Sequence, residues 1–176
     1  LIGSAALSDV EGQASLQRAE TGMTQFDSRA VQVALGDSSA QTISLGSTGD
    51  GEELATTSEG RLVLQIEDGP IFVDRPLGAV VYRTDQGAVA YQGGGVWRGT
   101  GNESRMISKP ELHYVDGTAT LPLILVKPAQ GGTTGDGRIT VRKGAPLSDQ
   151  GPGRIIGEQV QLKVTSEYYG GWAEYL

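Results

Sequence analysis

Between Leu16 and Val33 the apolar positions Leu16, Ala19, Met23, Phe26, Ala30 and Val33 recur at spacings of 3, 4, 3, 4 and 3. Gln, Arg, Glu, Thr, Asp and Ser fill the gaps, and no proline interrupts. Residues so spaced share one face of a helix, which predicts an α-helix from about Ser8 to Leu35. Asp9 and Glu11 then fall in its first turns, where the helix dipole favours acids, and Gly36 is a C′ residue. The stripe is narrow and mixed in size. It has two destinations: the chain's own sheet, or equivalent helices in an assembly, for which the six residues are the candidate assembly face.

From Gln41 the period changes to two. Gln41–Leu45, Arg61–Glu67, Ile71–Asp74, Ala79–Arg83, Ala88–Gln92, Val96–Arg98, Arg105–Ile107, Glu111–Val115, Ala119–Val126, Arg138–Lys143 and Gln159–Ser166 read as strands. Asp85-Gln86-Gly87 and, more strongly, Asp116-Gly117 mark hairpins. Turn signals this close together favour an antiparallel sandwich or open barrel over βαβ units. In Gln92-Gly93-Gly94-Gly95-Val96-Trp97-Arg98 the glycines predict a bulge or tight bend. Strand alternation sends Trp97 to the core and Arg98 outward, the alternative being an exposed Trp97 that serves as a binding platform. Glu167–Leu176 reads as a short aromatic helix. The expected fold is α+β, mainly β: a stem helix over residues 1–36 and a β-rich head over 37–176.

Composition narrows the function. The chain has 176 residues, a single domain's worth, and 14 basic against 21 acidic side chains, a net charge of −7. That balance argues against non-specific binding to nucleic acid or anionic lipid. The absence of Cys excludes a disulfide scaffold, thiolate metal ligation and a cysteine nucleophile. The 27 glycines, about twice the usual share, fit many tight turns. Ten Arg against four Lys, a single Asn and an acid excess suggest a halophilic source. No apolar run is long enough to span a membrane. Leu1–Leu7 reads either as the trailing end of an upstream hydrophobic segment or as an ordinary helix start. With no terminator after Glu167–Leu176, the native chain is expected to continue.

Candidate chemistry is sparse. His113 is the only histidine; with no nucleophile elbow and no grouped ligands it reads as a strand residue rather than a catalytic or metal site. Gly151-Pro-Gly153-Arg-Ile-Ile-Gly157 fits G-x-G-x-x-G but lacks the preceding strand that a phosphate loop needs. Two acidic turns, Ser47-Thr-Gly-Asp50-Gly51 with Glu52-Glu53 and Thr133-Thr-Gly-Asp136-Gly137, carry too few oxygens for a calcium loop. Asn102-Glu103-Ser104 is a candidate glycosylation sequon. We therefore expect no catalytic, cofactor or metal residues, and place a hydrolase third among the functional readings.

Five segments carry a resemblance: Leu77–Tyr82, Ala90-Tyr-Gln-Gly-Gly-Gly-Val-Trp-Arg98, Glu111-Leu-His-Tyr114, Thr120-Leu-Pro-Leu-Ile124 and Ser166-Glu-Tyr-Tyr-Gly-Gly-Trp172. Their succession resembles a group of uncharacterised haloarchaeal exported proteins related to archaellins and type IV pilins. The helix Asp9–Leu35, with Met23-Thr-Gln-Phe-Asp-Ser-Arg29, is similar to the segment following their hydrophobic N-terminal stretch. The resemblance implies an extracellular, pilin-like surface or filament subunit, non-enzymatic, with the head exposed for subunit contacts or adhesion. It implies self-association through the helix in the full-length protein, and membrane contact only through an apolar segment upstream of Leu1. No catalytic residue is carried over. The runner-up is a soluble extracellular module that recognises a ligand or glycan through Trp97 and nearby loops.

Overall fold

The computed structural model describes residues 2–46, 48, 49, 51–128, 137–144 and 159–176, with burial of side chains given from residue 9 onward. The chain opens on α1 (Ile2–Leu35) and continues through β1 (Ala40–Ser44), β2 (Glu53–Thr57), β3 (Arg61–Ile66), β4 (Ile71–Pro76), β5 (Ala79–Thr84) and β6 (Gly87–Gln92). There follow β7 (Gly95–Arg98), a 3-10 turn (Gly101–Glu103), β8 (Arg105–Ser108), β9 (His113–Val115), β10 (Thr118–Thr120), β11 (Arg138–Arg142), β12 (Val160–Thr165) and α2 (Tyr169–Tyr175). The fold is α+β and mainly β, and every strand pairing described is antiparallel. No closed barrel is found among the described residues. The sheets are β2-β5-β6-β7-β8, β12-β3-β4, β1-β11 and β9-β10.

The helix starts earlier than its expected beginning at Ser8, because Ala5, Ala6 and Leu7 are good helix formers and nothing breaks the run. Asp9 and Glu11 consequently lie beyond the first turn, which holds no acid. Asp9 instead accepts a hydrogen bond from Gln86 in the β5–β6 turn, Nε2 to Oδ1 at 3.0 Å. At the other end the Gly36 N–H donates to the Gln32 carbonyl at 2.9 Å. Gly36 keeps a negative φ instead of the left-handed C′ conformation. Its carbonyl is taken by Lys143 Nζ at 2.9 Å, a cation at the negative end of the helix dipole.

Alternation sorts the five-stranded sheet into two faces. Val80, Val89, Tyr91 and Val96 face α1 and pack with Leu16, Met23, Phe26 and Ala30, along with Ile43 and Leu54. Ala79, Val81, Ala88, Ala90 and Trp97 face the other way, toward Tyr168 and Trp172. A third cluster joins Leu62, Leu64, Val73 and Leu77 to Leu121, Leu123 and Leu125.

Two departures from the strand pattern have simple causes. β2 is absent from the expected list, since Leu54-Ala55-Thr56 is short and follows an acidic turn, yet it pairs along β5 and buries all three residues. Of the expected strand Ala119–Val126 only Ala119 and Thr120 enter a ladder, as the end of β10. Pro122 has no N–H to give, and the rest lies outside the described ladders. Its leucines point into the third cluster while Ile124 and Val126 reach the first.

Candidate functional site

The residues of the Tyr-Gln-Gly-Gly-Gly-Val-Trp segment sit at the β6–β7 hairpin. Gly93 and Gly94 form its two-residue loop with φ of 63° and 85°, the paired left-handed geometry that glycine accepts without strain. Gln92 opposes Gly95 across that loop. The Trp97 indole, fully buried, donates through Nε1 to the Gln92 carbonyl at 3.0 Å. It packs against Trp172 of α2 with ring centroids 4.6 Å apart and a 32° tilt. Glycines of both motifs make the room. A Cβ on Gly95 would lie 2.7 Å from Trp97 Cζ2, and one on Gly171 would lie 2.7 Å from Trp97 Cε3.

Gln92 is itself buried and ties this unit together. Its Nε2 donates to the Glu59 carbonyl at 3.2 Å, and its Oε1 accepts from Ser166 Oγ at 2.5 Å and from Trp172 Nε1 at 3.4 Å. Ser166 Oγ also receives the Tyr168 N–H at 2.9 Å. The two glycine-aromatic motifs, distant in sequence, are one reciprocal clasp. Trp97 is therefore not a binding platform, and a recognition site built on it is withdrawn. Gly171→Ala, which pushes a methyl into the indole, is expected to cost about 1–3 kcal/mol in urea denaturation.

Strand alternation does place Arg98 opposite Trp97, but that face is covered by α1 and only partly open to water. Arg98 makes an ion pair with Glu20 and donates to Gln13 Oε1 at 2.9 Å. With the side chains 21% and 18% exposed, the pair is partly shielded from solvent and pins the middle of α1 to β7. The six-residue stripe is occupied in the same way. Leu16, Met23, Phe26, Ala30 and Val33 are buried, Ala19 is partly so, and all six lie within this chain. Of the two destinations the sequence left open, the stripe takes the chain's own sheet, and these side chains would have to leave it before touching another subunit.

One buried acid lies in this helix–sheet seam. Asp27 is 5% exposed and accepts from Ser108 Oγ at 3.1 Å through Oδ2. The Tyr91 hydroxyl lies beside the carboxyl but outside good hydrogen-bond geometry, leaving it and Oδ1 without a close partner. Burial pushes the Asp27 pKa up to about 6, against the opposing pull of Ser108 and Tyr91 and with a small push from Glu111. The Tyr91 hydroxyl is held well above its ordinary range, by burial first and by Asp27 second.

Elsewhere the candidates stay apart. His113 is exposed on β9, its Nε2 2.9 Å from Glu111 Oε2. Among the described residues no cluster of three or more His, Asp or Glu could hold a metal. The Glu52 carboxylate folds back to accept the Gly49 N–H at 2.7 Å. Contacts with Ser15, then Gly49 and Tyr82, hold its pKa below the usual carboxylate range. Gly151–Gly157 and most of the Thr133–Gly137 turn lie outside the described residues, as do Ser47 and Asp50. Asn102 is exposed in the 3-10 turn. An open groove of about 930 Å³ runs between the outward side of α1 and β1, lined by Gln17, Arg18, Thr21, Gln25, Arg29 and Leu45 among others. It offers guanidinium and amide donors from Arg18, Arg29, Gln17 and Gln25. No helix among the described residues is long and apolar enough to cross a membrane.

The sequence model of a family of unknown function, DUF7289, matches residues 1–176. The chain belongs to that family. No curated protein and no solved structure matches it. For this DUF7289 member the aromatic clasp, the Arg98–Glu20 pair and Asp27 were the features sequence reasoning missed or misplaced. The only signal available for the clasp was the recurrence of Gly-Gly beside Trp in both motifs.

Proposed function

We propose that this chain is the head and stem of a non-catalytic, pilin-like surface subunit. The observation that carries the reading is the joint between helix and sheet. α1 is one 34-residue helix, about 50 Å long at 1.5 Å per residue. From Leu16 to Ala30 it packs in one buried cluster with the five-stranded sheet and is held there also by the Arg98–Glu20 pair. A load applied to such a helix passes directly into the head, which a tether by a flexible linker would not allow. The resemblance of the motifs to exported proteins related to archaellins and type IV pilins supports the same reading. Because the stripe is used internally, subunit or adhesive contacts fall to other surfaces. One is the β9–β10 hairpin, where Tyr114 and Val115 are 75% and 65% exposed.

The test uses the full-length gene product in its own cells, with an epitope inserted at Asp116-Gly117. We expect antibody to label intact cells and the product to fractionate with the cell surface or with sheared filaments. Recovery of the product with cytosolic markers alone, and no labelling, would overturn the proposal.

A further inference from the structure

We infer that Asn102 is the attachment site of an N-linked glycan, added before α2 docks on the sheet. The inference rests on the surface-protein reading above, since the modification belongs to exported chains. Asn102 is the only asparagine in the sequence and opens the sequon Asn102-Glu103-Ser104. The fold treats its two functional residues oppositely. Asn102 is exposed in the turn between β7 and β8, so a glycan there projects into solvent with no rearrangement. Ser104 is only 6% exposed. Its Oγ donates to the Gly101 carbonyl at 2.7 Å and receives the Gly171 N–H at 3.0 Å.

The segment around α2 closes directly on the sequon backbone. The Gly101 N–H donates to the Glu167 carbonyl at 2.7 Å. A Cβ on Gly170 would lie 2.6 Å from the Asn102 carbonyl oxygen, so a glycine is needed for that approach. In glycan transfer the Asn102 Nδ2 forms a bond to the anomeric carbon of an oligosaccharide carried on a lipid-linked phosphate. The bond from that carbon to the phosphate oxygen breaks, and the phosphate leaves with the electron pair. The displaced Nδ2 proton passes to a base of the transferase. An enzyme that reads the Ser104 hydroxyl together with the Asn102 amide finds only the amide once residues 167–175 are in place. The order is therefore glycan first, clasp second.

Trypsin cuts after Arg98 and Arg105 and releases Gly99–Arg105, which contains the whole sequon. In protein purified from its own cell surface, mass spectrometry should find this peptide with a glycan increment on Asn102. Asn102→Gln should abolish the increment and Ser104→Thr should retain it. Offered to a glycosyltransferase preparation with its lipid-linked donor, the folded unmodified chain should react about tenfold or more slowly than a synthetic 97–107 peptide, because it must open locally first. A surface-exported product whose Gly99–Arg105 peptide is unmodified overturns the inference and leaves the surface reading standing. If the product is not exported, the surface reading and the inference that rests on it fail together. Equal rates for folded chain and peptide overturn the proposed order.

Discussion

Trp97→Ala is expected to lower the stability of the chain by about 3–5 kcal/mol, the cost of emptying a core site of a large aromatic. The side chain is fully buried and lies between Gly95 and Gly171, whose missing side chains shape its slot. Its removal takes away the stacking partner of Trp172 and the indole donor to the Gln92 carbonyl. Surrounding backbone held by the hairpin and by α2 has little freedom to collapse into the void, which puts the cost toward the upper end. Urea denaturation followed by circular dichroism measures it, with Tyr114→Ala as the exposed comparison, expected within about 0.5 kcal/mol of wild type. A loss below about 1 kcal/mol for Trp97→Ala would contradict the clasp as a structural unit.

Asp27→Asn should stabilise the chain at pH 8 by about 2 kcal/mol and leave it nearly unchanged at pH 4, after allowing for partial solvent screening. The folded pKa of about 6 stands above the ordinary 3.8, so the fold holds this proton more tightly than the unfolded chain does. The contribution of Asp27 is accordingly most favourable below about pH 4, is lost as pH rises toward 6, and stays lost above it. Asparagine fills the same space uncharged, can accept from Ser108 and can donate to the Tyr91 hydroxyl. Urea midpoints for both proteins across pH 4–8 give the difference directly. Using that difference cancels the opposite trend from carboxyls held low, Glu52 and Asp74. Parallel curves for the two proteins would show that Asp27 is not protonated by the fold.

What the sequence determined by itself was local. The 3-4 spacing from Leu16 to Val33 gave the helix and its buried face, and the alternation from Ala79 to Arg98 gave three strands of the central sheet. Asp116-Gly117 gave a two-residue hairpin with both φ values positive, 48° and 75°. Each of these follows from neighbours within a few residues, where backbone sterics and side-chain direction act. Only the tertiary structure decided what lay against each face. Alternation put Arg98 opposite Trp97, but whether that side met water or a helix depended on where α1 settled. The same docking brought Asp27 against Tyr91 and Ser108 and spent the helix stripe inside the chain. β2 could not be read because its three short residues gain their burial from β5, a partner that no local pattern names. The Gly-Gly-Trp motifs show the limit most plainly. The glycines at 93–95 read as a bend and Gly171 as part of a short helix, although at Gly171 the need was space for the Trp97 indole of a distant strand. That need exists only after non-local contacts form.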